Sequence, residues 1–177
     1  DVVYGNSGDD KVFGDAGDDF VSGGKGNDLV SGGDGNDVVQ GNSGDDLITG
    51  DAGDDVISGG SGFDTLDYSI SKNGMVVDLS QHVATGMGND KIDGIEKVIG
   101  SDFADTFVGD SHDNVFVGGA GEDAMRGGKG NDVLTGGDGN AVEQQGAGAR
   151  QGGDEHGLEG VAFDRIGEAE VGQAQHI

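Results

Sequence analysis

An aspartate stands at every ninth residue through the first third of the chain: Asp10, Asp19, Asp28, Asp37, Asp46, Asp55 and Asp64. Two residues before each is a glycine (Gly8, Gly17, Gly26, Gly35, Gly44, Gly53, Gly62), and two residues after each is an aliphatic residue (Val12, Val21, Val30, Val39, Ile48, Ile57, Leu66). Turn preference alone would accept Asn or Ser at the aspartate position, yet all seven units use Asp. Carboxylates in a flexible loop rich in backbone carbonyls form a hard oxygen donor set, and that chemistry suits calcium.

The unit is Gly-Gly-x-Gly-x-Asp-x-U-x, where U is a large apolar residue, and it is clearest in the two copies spanning Gly23–Gln40. The paired glycines permit positive φ and a tight turn. A six-residue turn is therefore expected to alternate with a three-residue extended piece, with only the eighth position facing inward. Two units carry the chain through a full circle and lay residue i beside residue i+18. Asp10 then faces Asp28, Asp28 faces Asp46 and Asp46 faces Asp64 on one edge. Asp19, Asp37 and Asp55 line the other, with Asp1 placed to face Asp19.

These residues resemble the RTX family, the calcium-binding nonapeptide repeats of bacterial secreted proteins. The resemblance implies an all-β fold, a right-handed parallel β-roll with two nonapeptides per coil and several calcium ions held between successive loops. It implies further ligands from loop carbonyls, here those of Gly23, Gly24, Gly26, Gly32, Gly33 and Gly35. It also implies an extracellular location, reached through type I secretion machinery.

Along the chain, residues 1–67 read as a first roll block. Asp1–Tyr4 fit positions six to nine of a unit whose beginning is missing, so the chain is expected to be cut in mid-repeat from a longer protein. GNSGDD recurs at Gly5 and Gly41, and GDAGDD at Gly14 and Gly50, a period of two full coils. Residues 68–99 interrupt the register and read as enlarged bridging coils. Within them Met75–Leu79 forms a short strand by pattern, and a loose unit at Thr85–Asp93 keeps Gly88 and Asp90.

Residues 100–140 read as a degenerate second block or cap. Phe103 and His112 replace the fourth-position Gly, and Asn114 replaces Asp. Asp105, Asp123 and Asp132 remain as candidate metal ligands, with Asp105 facing Asp123 and Asn114 facing Asp132. Bulky eighth positions (Phe107, Phe116, Met125, Leu134) indicate a wider interior. From Ala141 the pattern stops. Residues 141–177 are read as a disordered or weakly helical tail, with a secretion signal or an out-of-frame end as alternatives.

Composition narrows the function. The chain has 177 residues, 40 Gly, no Pro, no Cys and a formal charge of −26. Such a charge argues against nucleic acid, which requires Lys and Arg to neutralise phosphates. No apolar run is long enough to span a bilayer, and without Cys there is no disulfide framework. No HExxH, GxSxG or P-loop is present, and the four histidines are scattered. Adjacent carboxylates such as Asp9-Asp10 and Asp45-Asp46 are expected on exposed edges, without the walled pocket that acid–base catalysis needs.

The reading is a non-catalytic calcium-binding module of a larger secreted bacterial protein, unfolded during export and folded once calcium fills its loops. Two alternatives stand beside it. The chain is the C-terminal accessory roll of a secreted protease, lipase or polysaccharide epimerase, or it is a segment of an adhesin stalk.

Overall fold

A computed structural model describes residues 1–139, 142–144 and 150–151. Its regular structure among these residues is all β-strand, arranged as the parallel β-roll that the family resemblance implies. The first block contributes β1 (Val2–Ser7), β2 (Lys11–Phe13), β3 (Phe20–Lys25), β4 (Leu29–Ser31), β5 (Val38–Ser43), β6 (Leu47–Thr49), β7 (Val56–Ser61) and β8 (Thr65–Asp67). Odd strands join one sheet and even strands the other, so the chain alternates faces at every unit. The register is i+18 throughout: Val21 lies opposite Val39 and Val30 opposite Ile48.

The coil is less symmetric than expected. On the odd side each strand runs on through the glycines that follow it and reaches six residues, whereas the even strands span three. On the even side the corresponding loops retain only the single bridge between Ala16 and Asp34. All seven aliphatic eighth positions of the first block are buried, stacking into one narrow core. Each unit thus buries one large apolar side chain, which contributes about 1.5–3 kcal/mol.

The interruption at 68–99 adds β9 (Val76–Asp78), β10 (Val83–Thr85), β11 (Asn89–Asp93) and β12 (Lys97–Ile99). The chain leaves β8, skips ahead to form β9, and returns through β10 and β11 to pair with β7. β10 is antiparallel to both neighbours, so the direction reverses twice and β9 and β11 both run parallel to the roll. One sheet therefore gains three strands at this seam while the other gains only β12, between β8 and its next neighbour. Larger side chains fill the wider interior: Tyr68, Met75, Val77, Leu79 and Ile92 are all buried.

Coils resume with β13 (Thr106–Val108), β14 (Val115–Ala120), β15 (Ala124–Arg126) and β16 (Val133–Asp138). Phe107 and Phe116 meet across the core with ring centroids 5.4 Å apart. Short strands β17 (Val142–Gln144) and β18 (Arg150–Gln151) extend the two sheets beyond the last recognisable unit. To that extent the coil outlasts the nine-residue pattern, which ends at residue 140. The rest of the tail reading, 152–177 above all, lies outside the described residues.

Candidate metal centre

The turns are built for close stacking. Gly26 and Gly35 have φ of +124° and +149°, and a Cβ on either would overlap the carbonyl oxygen of Gly8 or Gly17 in the coil before. Only glycine meets both demands. At the second position the constraint is looser: Asn6, Asp15 and Asn42 occupy φ between 73° and 81°, a left-handed region that Asn and Asp tolerate. The fourth-position N–H groups then close the stack, with Gly26 donating to Ser43 O and Gly35 to Ala52 O, both at 2.9 Å.

The sixth-position aspartates are not on the surface. From Asp19 through Asp64 all six are buried, and the side chain turns inward together with the apolar eighth position. This corrects the expectation that the eighth position alone faces in and that the acidic pairs lie on exposed edges. In each Asp-Asp pair one carboxylate is outside (Asp45, Asp54) and its neighbour inside (Asp46, Asp55).

Each inner aspartate is tied to the next coil. The backbone N–H of Asp10 donates to Asp28 Oδ1, that of Asp28 to Asp46 Oδ1, and that of Asp46 to Asp64 Oδ1, at 2.8–2.9 Å. On the other edge Asp19 donates to Asp37 Oδ1 and Asp37 to Asp55 Oδ1. The amino terminus of Asp1 reaches Asp19 Oδ1 in the same way. In the second block Asp105 donates to Asp123 and Asn114 to Asp132. The structure thus brings together every pair the i+18 spacing proposed.

Neither edge stops at the first block, although the sequence pattern breaks there. The Asp55 N–H donates to Asp90 Oδ1, and the Asp64 N–H to Glu96 Oε2. Glu96 escapes the sequence pattern because a glutamate stands where the units carry Asp; its signal is Gly94 two residues before, Val98 two residues after and Asp105 nine residues on.

An outer ladder, also unread in the sequence, runs through the fifth positions. Asp9 Oδ1 accepts the Asn27 N–H, Asn27 Oδ1 the Asp45 N–H and Asp45 Oδ1 the Phe63 N–H, at 2.8–2.9 Å. Asp18, Asn36 and Asp54 repeat the arrangement on the opposite edge. Carboxylate and amide alternate from coil to coil, so no two charges are adjacent in this file.

With Oδ1 occupied, the second oxygen of most inner aspartates is left bare. Oδ2 of Asp10, Asp19, Asp28, Asp37, Asp46, Asp64, Asp123 and Asp132 is buried and has no hydrogen-bond partner. A buried anionic oxygen without a donor is costly. Burial pushes the Asp55 and Asp64 carboxyls up to about 6, reinforced by the facing charges of Asp90 and Asp46 respectively. Asp37, Asp46 and Asp123 are raised for the same reasons, desolvation first and the facing carboxylate second.

The glycine carbonyls proposed as further donors are distributed between coils. Those of Gly23 and Gly32 face Gly5 and Gly14 in the coil before, while those of Gly26 and Gly35 face Gly44 and Gly53 in the coil after. Gly24 lies in the sheet ladder between Asn6 and Asn42, and Gly33 packs on the Asp15 carbonyl. Among the described residues no three His, Cys, Asp or Glu side chains converge as a compact metal cluster. The available donors are carboxylate pairs and backbone oxygens, which fit a hard cation of the calcium type and not a thiolate- or imidazole-seeking metal. His82 and His112 are exposed and pair with Asp93 and Asp110 beside a separate small cleft.

Two parallel sheets wound as a roll, with bare inward carboxylates repeating on both edges, define a cation-binding β-solenoid. The RTX calcium-binding nonapeptide repeat matches the chain in four copies, over residues 1–30, 31–66, 92–125 and 119–140. These cover more than half of its length, and the chain belongs to that family. No curated protein matches it. Among the described residues no helix is long and apolar enough to cross a membrane.

Proposed function

We propose that this chain is a calcium-binding repeat module of a larger secreted bacterial protein, one that becomes fully folded only when its loops are loaded. The observation that carries this reading is the row of buried, bare Oδ2 oxygens on the inner aspartates. Asp10, Asp28, Asp46 and Asp64 on one edge, and Asp19 and Asp37 on the other, would present these oxygens together with loop carbonyls to the ions. Asp123 and Asp132 would do so in the second block. Bound calcium would supply the positive charge that these facing carboxylates lack. The chain's own part is to aim one carboxylate oxygen at the neighbouring N–H, to leave the other free, and to admit glycine carbonyls at close range.

Without the ion, each unit has one buried apolar residue to set against the ordering of nine backbones, which costs about 1–2 kcal/mol per residue. The folded state is therefore weak in a cytosol poor in calcium, which suits export of an unfolded chain by type I machinery. It becomes stable outside the cell, where calcium is abundant.

Circular dichroism tests the proposal. The chain in excess chelator is expected to lack the β-signal that it acquires on titration with calcium into the millimolar range. A full β-signal in chelator at neutral pH, unchanged by calcium, would sink it.

A further inference from the structure

The carboxylates at the seam differ from those of the array. Asp90 is 1% exposed, yet both its oxygens are engaged: Oδ1 accepts the Asp55 N–H at 3.2 Å, and Oδ2 accepts the Tyr68 hydroxyl at 2.8 Å. Asp105 is equally buried. Its Oδ1 accepts from the Met75 N–H (2.6 Å) and Ser101 Oγ (2.9 Å), and its Oδ2 from the Ser101 N–H at 2.7 Å. Hydrogen bonds to a carboxylate are charge-assisted and stabilise the anion. A hydroxyl aimed at Oδ2 therefore does part of a cation's work without introducing an ion.

The Tyr68 hydroxyl is aimed by packing. The residue is 0% exposed, its backbone N–H donates to Ile99 O at 2.9 Å, and its ring lies so close over Gly50 that any Cβ there would overlap it. Gly50 opens its unit, like Gly23 and Gly32, but at those two the space beside the glycine holds a bare Asp Oδ2. The seam also has apolar filling of its own, with Tyr68, Met75, Val77, Leu79, Ala84 and Ile92 all buried. The array has one such residue per unit.

We infer that the seam takes no calcium at Asp90 or Asp105: the Tyr68 hydroxyl occupies the cation's role at Asp90, and the Met75 and Ser101 donors occupy it at Asp105. At these two carboxylates the splice between the loaded blocks is then ion-free, and the inner ladder passes through them by protein hydrogen bonds alone. This inference rests on the reading of the array as calcium-loaded.

The test counts bound calcium by equilibrium dialysis on the full chain, after circular dichroism has verified folding in saturating calcium. Asp90→Asn is expected to bind as many ions as the parent, because the amide can still accept from Asp55 and pair with the Tyr68 hydroxyl. Asp28→Asn, in the array, is expected to bind at least one fewer. Tyr68→Phe is expected to keep the parent's ion count and to melt lower than the parent, and by a smaller margin when Asp90 is already Asn, where the hydroxyl's bond is no longer charge-assisted. Loss of an ion in Asp90→Asn or in Tyr68→Phe overturns the inference, as does a Tyr68→Phe protein that melts with the parent. If Asp28→Asn also retains every ion, the array reading itself fails and the inference falls with it. Should Asp90→Asn not fold, the count and the melting of Tyr68→Phe still decide.

Discussion

Glu96 Oε2 accepts the backbone N–H of Asp64 at 2.8 Å, 32 residues away on an edge whose other first-block partners are 18 apart. The relationship makes Asp64 an interior member of its edge. It lies between Asp46 and Glu96 as Asp37 lies between Asp19 and Asp55. Spacing alone would have ended that edge at Asp64 and given it half the role of Asp37. The structure predicts otherwise. Asp64→Ala and Asp37→Ala should raise the calcium midpoint of folding by similar factors, each leaving one buried N–H (Asp46 or Asp19) without its acceptor. That loss alone is roughly 1–3 kcal/mol. Calcium titrations of the two variants, followed by circular dichroism, make the comparison. A shift for Asp64→Ala half that for Asp37→Ala would restore the shorter edge.

How far the sequence carried the structure depends on the period. Val12 to Leu66 and Asp10 to Asp64 recur at nine, so burial of the first set and the i+18 pairing of the second were both legible. At the seam the ladder jumps to separations of 35, 32 and 30 residues (Asp55 to Asp90, Asp64 to Glu96, Met75 to Asp105). Those separations arise because β10 reverses direction, and no local pattern encodes which strand a returning hairpin will meet. Burial of the aspartates was illegible for a different reason. A charged residue normally reads as outward, and its inward turn is fixed by a backbone N–H one full coil away.

Protons should substitute in part for calcium. The Asp55 and Asp64 carboxyls are raised from 3.8 to about 6 by burial. The folded state thus holds these protons more tightly than the unfolded chain does. Their contribution to stability is full below about 3.8 and disappears as pH rises through about 6. In excess chelator the β-signal should therefore be stronger near pH 5 than near pH 7.5. With calcium present the trend should reverse, since protons and the ion compete for the same oxygens. Equal β-signal at both pH values in chelator would show that the buried carboxylates do not limit the calcium-free fold.

The alternation of the outer ladder also has a measurable consequence. Asn27 sits between Asp9 and Asp45, accepting from one coil and donating to the other. Asn27→Asp keeps the acceptor oxygen but sets three carboxylates in file. These groups are exposed, so the penalty should be modest, about 0.2–1 kcal/mol. It should also fade at about 1 M salt, where the screening length is about 3 Å. Melting temperatures of Asn27→Asp and parent, at saturating calcium in low and high salt, report it. A gap that does not narrow with salt would mean that geometry and not charge selects the amide.

The two blocks should differ in what holds them. In the first, Oδ2 is bare on six aspartates, while in the second it is bare only on Asp123 and Asp132. There Asn114 replaces a carboxylate, turning its Oδ1 to the Asp110 N–H, and Phe107 and Phe116 fill the interior in place of Val. Apolar burial therefore takes over part of the role that ions serve in the first block. Phe116→Leu removes the contact between rings 5.4 Å apart and leaves a void beside Phe107. Loss of an aromatic pair is worth about 0.5–1.5 kcal/mol beyond the area buried, and the void adds to it. A lost packing contact is not restored by mass action, whereas a weakened ion site is. Raising calcium well above saturation should accordingly recover much of the melting temperature lost in Asp28→Asn and little of that lost in Phe116→Leu. Scanning calorimetry over a calcium series separates the two. Recovery of Phe116→Leu in step with Asp28→Asn would show that the second block depends on its ions as heavily as the first.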